Sequence, residues 1–453
     1  MDVSNSHSVF HILGNAQFVS NYEALQIGPA SLTFLGNGKD ISKITVISEG
    51  KGLSVKTSYP PKLGAIYLSG RNNNVSHPDT VLTFKDINAN ITVDSTSGPK
   101  DGNYSAGAGV IVSKLRQSSN ENDNTSIVFD NSHVELNLNL EKYKKGTAAA
   151  IVLSGYRRDT DSSIIKSTNS DIIINSTLGG IYLEDIPVDI QNSNITINAG
   201  LGFKDSNFLD QSSLPTNQAY QGAGISLQGN AQTAGNRSYE YLFQGGSLNV
   251  AGAIGIYLKR ATYPGHSTLK IDNKESVITA IDTFGHFNST SAIEANNRET
   301  ANHSIWLSGH VVLNNSQSYN EELSREYGTY AYGLNIENFS IETKEALNTT
   351  SLEINSSVNG FNKIKDVYAI GVNATNSVLE IAHPLTINVR GEGNNTIQGI
   401  LLKSNSIFKA SNDIKIISIA GNTLGEAISA DETSSVSLLN QPEQKKHKHH
   451  NCW

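Results

Sequence analysis

The chain has 453 residues, of which 37% are apolar and only 17% charged, and its formal net charge is −8. Ser, Thr and Asn supply the polarity that charge does not, and an acidic balance without an extended basic surface excludes nucleic acid as a partner. A single cysteine, Cys452, excludes an internal disulfide framework and a thiolate metal cluster.

The first fifty residues have strand character. Ala30-Ser31-Leu32-Thr33-Phe34 and Ile44-Thr45-Val46-Ile47 gather β-formers between Gly and Asn turns, and residues 1–50 read as irregular first turns or a cap. The first Lys or Arg is Lys39, and Val9-Phe10-His11-Ile12-Leu13 is too short for a signal-peptide core, so no export signal is expected. No apolar run reaches the roughly 18 residues of a membrane-spanning helix.

A regular pattern opens at Gly64-Ala65-Ile66-Tyr67-Leu68 and recurs. A strand led by a small residue returns at Ile66, Val110, Ile151, Ile181, Ile225, Ile256, Ile293, Leu334, Ile370, Ile400 and Ile428. Its spacing varies, which a helical repeat does not tolerate because insertion rotates the apolar face away; a coil of strands sheds extra residues at its corners. Two further alternating strands follow most anchors, as Val81 to Phe84 and Ile91 to Val93 follow Ile66.

Three strands per unit predict an all-β parallel β-helix over residues 51–440, with about eleven turns and a length on the order of 50 Å at the usual strand spacing. Asn131-Ser132, Asn192-Ser193 and Asn376-Ser377 are read as corners between the second and third strands, where Asn accepts left-handed backbone and stacked Asn and Ser side chains form ladders. The segment Asn320 to Tyr327 is a short helix candidate within an insertion. The basic stretch 441–453, with His447, His449, His450 and Cys452, reads as a disordered tail or an out-of-frame ending.

Repeated Gly-Ile-x-Leu strands, Asn-Ser corners, abundant Gly, Thr and Asn and near absence of Cys resemble the passenger domains of bacterial autotransporters, above all the pertactin-like right-handed parallel β-helices. The resemblance spans roughly residues 14 to 440. It implies an exported stalk or adhesin, displayed on the cell surface or secreted, whose partner is a host surface protein or glycan or another bacterial cell. The translocator barrel of that family has no counterpart after residue 440.

The residues for chemistry are few. No Gly-Asp-Ser-Gly or Gly-x-Ser-x-Gly loop is present, and His266, His286, His303 and His310 lie in separate turns with no recognisable serine partner. The alternative function, a polysaccharide lyase or hydrolase on a parallel β-helix, would use Glu184, Asp185 and Asp189 with Arg157, Arg158, Asp159 and Asp161 of the preceding corner. Alternation with Ile and Val instead makes these carboxylates solvent-facing strand positions.

Tyr327, Tyr330 and Tyr332 are candidates for a sugar- or protein-binding patch. Arg390-Gly391-Glu392 resembles an integrin-binding tripeptide with Glu in place of Asp. No cofactor is expected.

Overall fold

The computed structural model describes residues 2–3, 7–28, 30–50, 64–68, 79–95, 107–113, 125–142, 147–154, 163–204, 219–229, 238–260, 266–282, 286–297, 303–318, 328–343, 351–360, 367–392, 395–421 and 423–438. Outside them fall Tyr327, Arg157, Arg158, Asp159, Asp161, the helix candidate at 320–327 and the tail. The described residues contain no α-helix, only two short 3-10 segments, Leu201–Lys204 and Ala219–Gly222.

Nearly all the rest is strand, coiled as a parallel β-helix with three strands per turn. The first strand of each turn joins a 13-stranded sheet, and the second and third strands form two ladders of a 24-stranded sheet. At about 4.8 Å per strand, thirteen strands make a rod roughly 60 Å long. The strands of the first fifty residues join the same ladders: Leu25 pairs with Ile66, Leu32 with Leu82 and Val46 with Ile91.

The reason for the coil lies in the alternation. Inward positions stack in columns along the axis, as in Leu32, Leu82, Ile127, Ile165 and Val188 on the second strand, while their neighbours face out. Ile181, Leu183, Ile195 and Ile197 are buried in the central core. Phe34, Phe84 and Phe129 stack with centroids 5.7 and 5.8 Å apart, so one strand spacing sets the aromatic contact.

Two anchors are displaced from their expected places. Ile66 pairs with Ile111, not Val110, and Leu334 pairs with Val372, not Ile370. In Ala108–Ser113 every side chain is buried, because Val112 joins Val152 and Ala149 in a second apolar cluster, so alternation is lost there. Ile370 lies beside Tyr332 in register, and this buried outward-facing Ile mimics an anchor.

The residue before every true anchor except Ile111, which follows Val110, is Gly or Ala, and at the glycines the reason is steric. A Cβ on Gly180, Gly333, Gly371 or Gly399 would lie 2.5, 2.2, 2.4 or 2.3 Å from a third-strand isoleucine Cγ2, that of Ile197, Ile354, Ile387 or Ile416 respectively. The first strand bends there onto the third.

Corners are held by serine ladders. Asn131, Asn169 and Asn192 take positive φ, and each following serine turns inward. Ser132 N donates to Ser170 Oγ at 3.0 Å and Ser170 N to Ser193 Oγ at 3.1 Å, while each hydroxyl donates to the carbonyl two residues back. Asn376-Ser377 does the same at a different corner, between the first and second strands, since Val367–Thr375 precedes it and Val378–Ile381 follows. Outer amide ladders run along the third strand, through Asn137, Asn175 and Asn198 and again through Asn314, Asn355 and Asn388.

One stretch of interior is polar. Thr290 Oγ1 donates towards Asn315 Oδ1 at 3.0 Å and Gln317 Oε1 at 3.1 Å, and Asn315 Nδ2 donates to the carbonyls of Thr290 and Tyr332 at 2.8 and 2.9 Å. This buried network fixes the backbone of the turn that carries the tyrosines considered next.

Candidate functional site

The three strands of a turn differ in the length of chain that joins them. Long connections attach to both ends of the first-sheet strands, as at 205–218, 230–237, 319–327 and 361–366, whereas the second and third strands are usually joined by a few residues. Coil loops carry function more often than coil strands, which directs attention to the outer face of the first sheet.

That face carries tyrosines. Tyr182 and Tyr257 align through Ser226 in one column, which continues through Glu294, Asn335 and Asn373. In the neighbouring columns, Ser291 pairs with Tyr332, and Ser289 with Tyr330 and then Tyr368. Tyr330 and Tyr332 are half-buried, and the rings lie parallel: Tyr330 stacks on Tyr368 at 4.9 Å and 5°, and lies 6.0 Å from Tyr332 at 9°. Tyr330 and Tyr332 thus lie on one face, with Tyr368 and Glu294 beside them.

Glu294 is the unusual group. Part of its side chain reaches the surface, yet its carboxyl is enclosed enough that burial pushes it up to about 7, against the Ser291 hydroxyl and the Lys259 charge, which both lower it. Ser291 Oγ donates to Glu294 Oε2 at 3.3 Å. The Tyr332 hydroxyl is pushed up by burial first, and then by Tyr330, Glu294 and Tyr368. Sequence reading missed Glu294 because its neighbours come from other turns.

The carboxylates of the enzyme alternative do not share one face. Glu184 faces out from the first sheet and accepts from Ser154 Oγ at 3.4 Å; Asp189 faces out from the second-strand ladder and accepts from Gln191 Nε2 at 2.8 Å. Asp185, expected on a strand facing solvent, is instead a corner residue with φ of 55° and is 3% exposed. A left-handed corner turns its short side chain back into the coil.

Arg390 and Glu392 are exposed, and Glu392 Oε2 accepts the Gly360 amide at 3.0 Å. They flank Gly391 at the end of Leu385–Gly391.

The histidines need one correction. His310 Nδ1 lies 2.7 Å from Ser351 Oγ, and the two residues are in register on adjacent strands, after Glu275. A serine partner therefore exists. Among the described residues no hydrogen bond or ion pair joins Glu275 to His310. His303 is structural: it is buried, accepts the Ser267 amide at 3.0 Å and packs on Phe339. Burial lowers the pKa of His286, against a backbone hydrogen bond with Phe203, and His266 is exposed.

No protein-family model matches the chain, and no curated protein matches it. Among the described residues no group of three or more His, Cys, Asp or Glu side chains is placed to hold a metal ion, and no helix is long and apolar enough to cross a membrane.

Proposed function

We propose that the chain is a binding rod of the pertactin-like passenger type, displayed on a bacterial surface or secreted, and that it adheres to a host surface protein or glycan or to another cell. The observation that carries this reading is the first-sheet outer face, where stacked tyrosines lie on a parallel sheet whose strands precede or follow the chain's longer connections in sequence. A rigid scaffold limits the entropy lost on binding, and tyrosines give contact area with few rotatable bonds. Charge elsewhere is spread as isolated surface pairs, such as Lys85 with Asp130 and Lys409 with Glu380, which favours a stalk over a convergent catalytic cleft.

The test is adherence of the purified chain to cells and immobilised matrix. Replacing Tyr330, Tyr332 and Tyr368 together by Ser is expected to reduce binding at least about tenfold, while Glu184→Ala with Asp189→Ala leaves it unchanged. Release of reducing ends or unsaturated sugars from a polysaccharide panel, lost in the Glu184 and Asp189 double variant, would establish the enzyme alternative instead.

A further inference from the structure

Three outward side chains on the first sheet end in acceptors that the chain itself satisfies incompletely. Glu294, Asn335 and Asn373 stand in one column on successive strands. Asn373 Nδ2 donates to Asn335 Oδ1 at 2.8 Å, but Asn373 Oδ1 is a buried acceptor that receives no donor among the described residues. A buried acceptor without a donor costs free energy and is uncommon in native interiors. Glu294 receives the single Ser291 hydroxyl at 3.3 Å, and Lys259 acts on it through charge, with no ion pair between them among the described residues. Two strand spacings, about 10 Å, separate Glu294 from Asn373 along the column.

Tyr332 and Ile370 lie beside this column, in register with each other. The mutual stacking of Tyr330 and Tyr368 at 4.9 Å covers ring surface on which a sugar would otherwise lie flat. What the column offers a partner is acceptors: a carboxyl, an amide oxygen and the neighbouring phenol. A group rich in N–H donors and positively charged complements that set, because a charged donor to a carboxylate makes the stronger class of hydrogen bond. The chain's net charge of −8 adds long-range attraction for the same kind of partner.

We propose that Glu294, Tyr332 and Asn373 form a site for the cationic side chains, arginine above all, of an extended basic segment on a partner protein. One guanidinium pairs with Glu294 against the Tyr332 ring, and a second donor of the same segment takes Asn373 Oδ1 as that half-buried amide turns outward, since the oxygen is enclosed in the free chain. The groups that face Glu294 and bear on its charge are Lys259 from the strand before it and Tyr332 from the strand after it, with Ser291 on its own strand. The proposal rests on the binding reading above and gives that surface a partner chemistry.

The experiment is calorimetric titration of the full chain with acetyl-Gly-Arg-Gly-Arg-Gly-amide, against the same peptide with citrulline at both arginine positions. The wild type is expected to bind the arginine peptide and to bind the citrulline peptide at least about tenfold more weakly. Glu294→Gln keeps the shape and removes the charge; Asn373→Leu removes the acceptor where the next residue of the column is already Leu401. Both are expected to weaken the arginine peptide about tenfold or more, with circular dichroism and melting verifying the fold. The carboxyl carbon of Glu294 should also titrate at lower pH when the peptide is bound. Equal affinity for the two peptides, unchanged affinity in Glu294→Gln, or no binding by the wild type at millimolar peptide would overturn the site. Because purified chain and peptide suffice, that outcome leaves cell adherence standing, whereas adherence that fails while the peptide still binds removes the adhesin reading and keeps the site.

Discussion

Two carboxylates show how opposite surroundings give opposite dependence on pH. Asp431 accepts the Ser404 and Thr433 amides at 2.6 and 3.1 Å and the Thr433 and Ser434 hydroxyls, both at 2.8 Å. These bonds, the Ser404 amide first, hold it down to about 2. Its folded pKa lies below the unfolded value, so its contribution is present above the ordinary carboxylate range and lost as pH falls through about 2. Asp431→Asn should therefore melt lower than wild type at pH 6, and the difference should vanish in melts at pH 2 and below.

Glu294 has the reverse sign, since its folded pKa is raised to about 7. The folded state prefers the protonated acid, so a destabilisation absent below the unfolded carboxylate range grows as pH rises and is complete above about 7. Glu294→Gln is expected to match wild type at pH 4 and to exceed it at pH 8, by on the order of 3 kcal/mol. Equal melts at pH 8 would show that the carboxyl is solvated after all.

At the scale of the element, the strand bend and the corner serine are the repeated devices. Gly333→Ala puts a Cβ 2.2 Å from Ile354 Cγ2 and 2.7 Å from the Gly371 carbonyl, and overpacking of that kind costs about 1–3 kcal/mol. Combining it with Ile354→Ala should cost less than the sum of the two single changes, because they compete for one space; strict additivity in denaturant melts would mean that the clash relaxes elsewhere. Ser170→Ala removes the acceptor of the buried Ser132 amide, and an unsatisfied buried donor is worth about 1–3 kcal/mol.

The glycines and serines were legible in sequence as a small residue before Ile and as Asn-Ser corners, because each device admits only a narrow set of residues at one place, Gly or Ala at nearly every strand bend and Ser after the left-handed corner. Asn376-Ser377 was legible as a corner but not as to which corner, since the same αL-then-Ser geometry serves both. The anchors at Val110 and Ile370 slipped where outward residues are also buried, for alternation reports the inner face only while the outer one is wet. The Glu294 site was hidden for a further reason. Tyr330 and Tyr332 share a strand and can be noticed together, but Glu294, Asn335 and Asn373 meet only through the inter-turn register, which variable connections conceal.

Across the whole molecule, one core cluster runs from Ile12 to Ala420, yet each turn touches mainly the turns before and after it. Stability in such a rod is close to a sum of turn and neighbour terms, so damage to a middle turn need not unfold both ends. Ile181 is the place to strike. Its strand pairs with those of Ile151 and Ile225, and it lines one small apolar interior space together with Phe129, Ile172, Ile195 and Phe243. Ile181→Asp buries an unpaired charge there and should cost several kcal/mol. On the amino-terminal side, the Phe34, Phe84 and Phe129 stack holds successive turns together; on the carboxyl-terminal side, the polar network of Thr290, Asn315 and Gln317 does so. Limited proteolysis of the variant should therefore cut first in the turns around Ile181 and leave a resistant carboxyl-terminal fragment that still contains Tyr330, Tyr332 and Glu294. That fragment should keep its strand signal in circular dichroism. A variant that melts like wild type would contradict the inward column itself, and one that is digested to small peptides in a single step would show that the rod unfolds as one cooperative unit rather than turn by turn.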